Sequence, residues 1–306
     1  MINFAGINLS GVDFSGTDMS GANFIKANLS HADLTGTNFS YANLSYADLT
    51  GADLGDALFT KANLQNAVLP GCSLIQARLE NSILWKANLQ EADLWRADLS
   101  NSVLMDADLQ RADFTEAVLE NCNLKNSNFK MAVLAYASLK NADAGHADFT
   151  GADLTEADLT GTDFSYALLT RAVLQEADLK NAVFFKADLN QADLWRVTMY
   201  QTDLQSADLK KSILIAADII DSILWKADLS GADLSDADLN SSVLKNSIME
   251  KTILLGTQFT GTDIRMVKGL SIHQISEAKT LYNARLDSRL KKKIIKNFPY
   301  LFAKKV

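Results

Sequence analysis

The fold is decided by a stretch in the first third of the chain: Ala87-Asn88-Leu89-Gln90-Glu91-Ala92-Asp93-Leu94-Trp95-Arg96-Ala97-Asp98-Leu99. A leucine returns every fifth residue, a small residue stands two places before it, and Asp or Asn stands just before it. Followed outward, the same register holds a large apolar residue at every fifth position from Phe4 to Ile264, with one lapse at Ala144. Fifty-three pentads share one frame.

A period of five suits neither ordinary element. On an α-helix five residues advance 500°, so successive leucines sit about 140° apart and never form a face. In a flat strand the odd period throws them onto alternate sides. The register survives only if the chain turns a corner at each pentad, which describes a solenoid. With four right-angled corners a coil uses about 20 residues, and each pentad turns its large and its small residue inward. Stacked at about 4.8 Å per coil, roughly 13 coils are expected to build a rod near 60 Å long.

The triplets Ala27-Asn28-Leu29, Ala92-Asp93-Leu94 and Ala227-Asp228-Leu229 resemble the motif of the pentapeptide-repeat family. The resemblance covers residues 2 to about 268 and implies an all-β solenoid, a right-handed quadrilateral β-helix. The expected organisation is a repeat domain over 1–270 and a tail over 271–306 that forms a helical cap. Ser271 and Gln274 read as a capping box, with Ile275, Ala278, Leu281 and Tyr282 continuing at helical spacing. A second helix is expected from about Ser288 to Phe298, stopped by Pro299. The tail resembles the segment that follows the last repeat in many cyanobacterial members.

Composition narrows the function. Residues 1–270 carry 20 Lys+Arg against 35 Asp+Glu, and residues 271–306 carry nine basic residues against two acids. No apolar run approaches the length of a membrane span. The chain enters the repeat at once, so no signal peptide is expected and the cytoplasm is the default location. Cys72 and Cys122 fall at the small inward place, too far apart to pair. An interior filled by leucine and alanine leaves no substrate pocket, and His31, His146 and His273 form no cluster. The expectation is therefore no enzyme, cofactor, metal or small-molecule substrate. Columns such as Asp13, Asp33 and Asp53, or Asp188, Asp208 and Asp228, read as solvated ladders. The lapse at Ala144 reads as a packing accommodation, with Phe164 one coil on available to lean toward it.

Information on function must then lie in outward places that break the polar rule. On one wall Ile83, Trp85, Val103 and Met105 stand together, followed by Val183, Phe185, Ile223, Trp225 and Val243. The opposite wall carries Ile75 and Trp95, then Trp195 and Ile215. Each Trp precedes a Lys or Arg, a hot-spot composition. These residues are the candidate interaction surface of a scaffold that binds a protein partner or a second copy as a homodimer. Two alternatives stand beside it: an acidic DNA mimic that binds DNA gyrase or topoisomerase, as family members of the quinolone-resistance type do, and a purely structural self-associating rod. Nucleic-acid binding by the acidic solenoid is disfavoured. The Lys-rich tail leaves room for contact with an anionic membrane surface.

Overall fold

The computed structural model describes residues 2–304. Contacts gather into two compact units, Met1–Asp158 and Leu159–Val306. Both are built from the same pentad, whose five places run from the small residue (first) to the residue after the corner's crest (fifth).

The pentad from Ala42 shows how each place is used. The Asn43 N–H donates to the Ala22 carbonyl of the preceding coil at 2.9 Å, and the Leu44 and Tyr46 N–H groups donate to Asn63 and Gln65 of the next coil at 2.7 and 3.0 Å. The Ala47 N–H closes the corner on the Leu44 carbonyl at 3.0 Å. One donor remains, the N–H of Ser45, and it is taken by the Asn43 side-chain Oδ1 at 3.1 Å. That last bond explains Asp or Asn at the second place: its carboxyl or amide oxygen satisfies the one backbone donor the coils cannot reach.

Each corner has positive φ at its fifth place, from Gly6 to Met266, including Tyr46 at 59°. A four-residue turn with positive φ at its third residue is a type II turn. The left-handed conformation costs an L-residue about 1–2 kcal/mol. Accordingly no Val, Ile, Thr or Pro occupies the fifth place in any pentad.

With so few extended residues between corners, the coils are joined by isolated parallel bridges, such as Asn43↔Asn63 and Asp193↔Ile213. The 20-residue spacing gives four pentads per coil within each unit. Third-place Leu and Phe and first-place Ala are buried throughout the interior coils, Ala144 included. Phe164, in the second unit, stacks on Phe184 at 5.0 Å. At several first-place Ser and Thr residues the hydroxyl donates to a backbone carbonyl 23 residues back, as Ser102 does to Leu79 at 2.6 Å and Thr202 to Leu179 at 2.9 Å, whereas Ser127 and Ser212 donate within their own corner, to Leu124 and Leu209. Cys72 and Cys122 are free and buried, and burial pushes both thiols up to about 12.

The tail departs from expectation in one respect. Helix α1 spans Ile272–Ser276 with both halves of the capping box, then stops. Residues 277–285 turn beside the last coil instead, with a corner at Asn283 (φ 56°) that the Ala284 N–H closes on the Leu281 carbonyl at 3.0 Å. Lys279 and Arg285 donate to Thr257 and Thr262, Phe259 and Ile264 donate to Thr280 and Arg285, and bridges form at Gln258↔Thr280 and Asp263↔Arg285. Backbone partners along that coil outcompete helix propagation over so short a segment. The Gln274 Nε2 also donates to the Met249 and Thr252 carbonyls, both at 2.9 Å. Helix α2 covers Ser288–Asn297 and buries Ile294, and a 3-10 turn follows over Pro299–Phe302. None of the described helices is long and apolar enough to cross a membrane.

Candidate interaction surface

In the first unit, Ile83 and Val103 are bridged directly to one another, one coil apart. The second-place side chain points outward, and Ile83 is 42% exposed while Val103, Trp85 and Met105 are half-buried. Replacing Asp or Asn here removes the oxygen that would accept the Trp85 and Met105 amides. Trp85 is held in place from two sides. Its Nε1–H donates to Asp106 Oδ2 at 3.1 Å, and the Lys86 ammonium sits 4.7 Å from its ring centroid. The bonds from Trp85 and then Asn126 hold the Asp106 carboxyl below the usual range.

On the wall of Ile75, the Trp95 ring lies 4.3 Å from the Arg96 guanidinium, which is paired with Glu116 at 2.8 Å. Gln76 donates its N–H to the Trp95 carbonyl, placing Ile75 and Trp95 on adjacent rungs.

The second unit repeats the theme. Trp195 lies 4.4 Å from Arg196, and Trp225 lies 4.0 Å from the Lys226 ammonium. An open recess of about 350 Å³ is lined by Gln175, Asp193, Trp195 and Ile213. Ile223 and Val243 are bridged, but Val183 is separated from Ile223 by Asp203, so the residues grouped on that wall form two patches. Phe185 belongs instead to a trio with Tyr166, edge-on at 5.5 Å, and Lys186, 5.2 Å from the Phe185 ring.

Three contributors escaped the sequence reading. Ile213 was legible, because it replaces Asp or Asn just as Ile83 does. Tyr166 stands at a corner, a place the reading left uninterpreted. Asp106 anchors Trp85 from a neighbouring coil's corner, a contact no linear motif announces.

One pair of stacked carboxylates, Asp208 and Asp228, is bridged by a lysine. Lys210 reaches both Asp208 at 2.8 Å and Asp228 at 3.2 Å. Burial raises the Asp228 carboxyl, but the Ser230 hydrogen bonds and Lys210 outweigh it and hold it below the usual range.

Comparison with known proteins places this architecture. The family described as pentapeptide repeats matches in overlapping segments from residues 2–40 through 187–225, and again over 227–265. HetL, a pentapeptide repeat protein involved in heterocyst differentiation regulation from the cyanobacterium Nostoc sp. strain PCC 7120, is 32% identical. That alignment covers 76% of this chain and 90% of HetL, with a TM-score of 0.30. Rfr23, from the cyanobacterium Cyanothece 51142, is 26% identical over 40% of this chain and 90% of its own, with a TM-score of 0.30. QnrB1, a plasmid-mediated fluoroquinolone resistance protein, is 15% identical over 97% of this chain and 96% of its own, with a TM-score of 0.22. No curated protein matches the chain.

Proposed function

The chain belongs to the pentapeptide-repeat family, whose members fold as right-handed quadrilateral β-helices, and from that premise we propose a non-enzymatic scaffold that regulates by binding a protein. In this reading residues 1–270 form about 13 coils, residues 271–306 cap them, and the protein works in the cytoplasm. The contact surface centres on Ile83, Trp85, Val103 and Met105.

One observation carries the reading. Placing Ile83 where Asp or Asn normally stands forfeits the side-chain bond to the fourth-place amide, yet leaves the isoleucine 42% exposed. Stability gains little from such a trade, because exposed apolar surface returns no burial energy. An apolar rung beside a tryptophan held under a lysine is instead the make-up of an anchor. The acidic-mimic alternative is less well supported. Lys and Arg at corners interrupt the acidic surface, and pairs such as Arg96–Glu116 neutralise it locally.

The test is affinity capture from native lysate with wild type beside Ile83→Asn/Trp85→Ala. Asn restores the local acceptor, so the variant is expected to fold with an unchanged or higher Tm while losing a partner. Identical captured proteins from both forms would overturn the assignment.

A further inference from the structure

Where the tail meets the end of the repeat, a recess of about 410 Å³ opens between α1, α2 and the segment that joins them to the solenoid. Four apolar side chains line it, each only half-buried: Val267 and Leu270 from the end of the repeat, Ile272 from α1 and Leu290 from α2. Val267 continues the first pentad place, where most pentads carry Ala, Ser, Thr or Cys. A concavity of this size, walled by three converging segments, falls in the range of small-molecule sites.

Two cations line the same recess. Arg289 and Lys293 stand four residues apart on α2, so they share one side of the helix with Leu290 beside them. Both are exposed. The ion pairs at this end of the chain are Arg265–Asp263 and His273–Glu277, so among the described residues Arg289 and Lys293 have none. The other polar groups of the lining are already engaged. Ser271 and Gln274 exchange both bonds of the capping box, and the Asp287 carboxylate accepts the Met266 N–H at 2.9 Å. Asp287 also has a cation beside it: the Asp263 hydrogen bond first, and Asp287 in addition, hold the Arg265 guanidinium above its ordinary value. The recess therefore combines an apolar lining with two uncommitted positive charges.

We propose that this recess binds a small amphipathic carboxylate, its apolar chain against Val267, Leu270, Ile272 and Leu290 and its carboxylate held by Arg289 and Lys293. Each half of the site excludes a simpler occupant. An inorganic anion leaves the four apolar side chains half-exposed and forgoes the gain from covering them. A neutral apolar molecule leaves the Arg289 guanidinium without the planar acceptor it fits best. A flat anionic surface meets the exposed Lys292 and Lys296 as readily as the two cations of the recess, and it does not enter the concavity. The bound molecule also acts as a fastener. Helix α2 buries a single residue of its own, Ile294, so few contacts hold it in place. A ligand that touches Val267 and Leu270 on one side and α2 on the other favours the docked tail over states in which α2 lifts away.

Calorimetric titration of the full chain with octanoate tests the site, with acetate and octanol as probes of its two halves. Octanoate is expected to bind, and acetate and octanol each roughly tenfold or more weakly. Arg289→Gln/Lys293→Gln is expected to lose octanoate affinity by about the same factor with an unchanged circular dichroism spectrum. Lys292→Gln/Lys296→Gln, which removes two charges of α2 outside the recess, is expected to keep it. Amide exchange gives a second readout, with octanoate slowing exchange in α2 and leaving the pentads around Trp85 unchanged. A wild type that does not bind octanoate overturns the proposal, and its capture by anionic vesicles in that case assigns the cations to a membrane surface instead. Equal losses in the two glutamine pairs, undiminished binding by the recess pair, acetate or octanol as tight as octanoate, or unslowed exchange in α2 overturn it as well.

Discussion

The first coil and the last obey one pentad grammar in two different surroundings. In the first, the inward small place holds Ile2, Ile7, Val12 and Thr17, and Phe14 is only half-buried. In the last, the same place holds Thr252, Thr257 and Thr262, each fully buried and donating to the Leu229, Leu234 or Leu239 carbonyl at 2.8 Å. A buried hydroxyl there avoids its desolvation cost by bonding to the preceding coil, while the half-buried Thr17 of the first coil bonds within its own corner, to Phe14 at 2.6 Å. Tail residues pair with the backbone of the last coil, while Phe4, Leu9 and Phe14 of the first stay part-exposed.

That contrast gives graded expectations. Phe259→Ala should lower unfolding free energy by about 3–5 kcal/mol, as full burial implies. Phe14→Ala should cost less than half as much in dilute denaturant titrations. Equal losses would mean that the first coil is as enclosed as the last. Next in size are the corner glycines. Gly11→Ala pays only the left-handed cost of about 1–2 kcal/mol, its φ being +69° with open space around it. Gly256→Ala pays that cost and also displaces the Asp236 carboxylate, so its Tm should fall further.

The smallest effect concerns two second-place carboxylates, Asp18 in the first unit and Asp238 in the second. Asp18 is held below the usual range by its backbone and side-chain bonds from Ser20. Burial raises Asp238, with repulsion from Asp218 adding to it. A carboxyl raised in the folded state contributes stability at low pH and loses it as pH climbs through its folded value; a lowered one does the reverse. Asp238→Asn should therefore gain a few tenths of a kcal/mol at pH 7, after allowance for solvent screening. That gain should vanish in acid. Asp18→Asn should instead lower Tm at pH 7 and converge on wild type in acid. Melting curves at both pH values decide the signs.

Period, register and the two inward places were all legible in the sequence, since each follows from geometry that repeats every five residues. The purpose of the second place was not. Asp and Asn read as solvated polar residues until the Ser45 amide is seen bonding to Asn43. The corner rule could have been found, because the missing Val, Ile, Thr and Pro at the fifth place declare positive φ. The tail was half legible. Its capping box marked where α1 begins, but α1 ends where Lys279 and Arg285 find carbonyls on the last coil, and those partners lie more than 20 residues away in sequence. The tryptophans were found, but not what holds them, since Lys86 is a neighbour and Asp106 belongs to the next coil.

The phenylalanine stacks acquire a different meaning when the chain is considered before it has folded. Because every coil offers nearly the same backbone donors and acceptors, a segment that docks one whole coil out of place still satisfies most of them. Phe4 on Phe24, Phe39 on Phe59, Phe129 on Phe149 and Phe164 on Phe184 each pair rings 20 residues apart, with centroids at 4.6 to 5.1 Å. A slip of one coil sets a ring against a leucine and leaves its mate without a ring to stack on. Sparse aromatic pairs thus act as the teeth of a key in an otherwise uniform zip, giving a self-similar chain one alignment that fits everywhere.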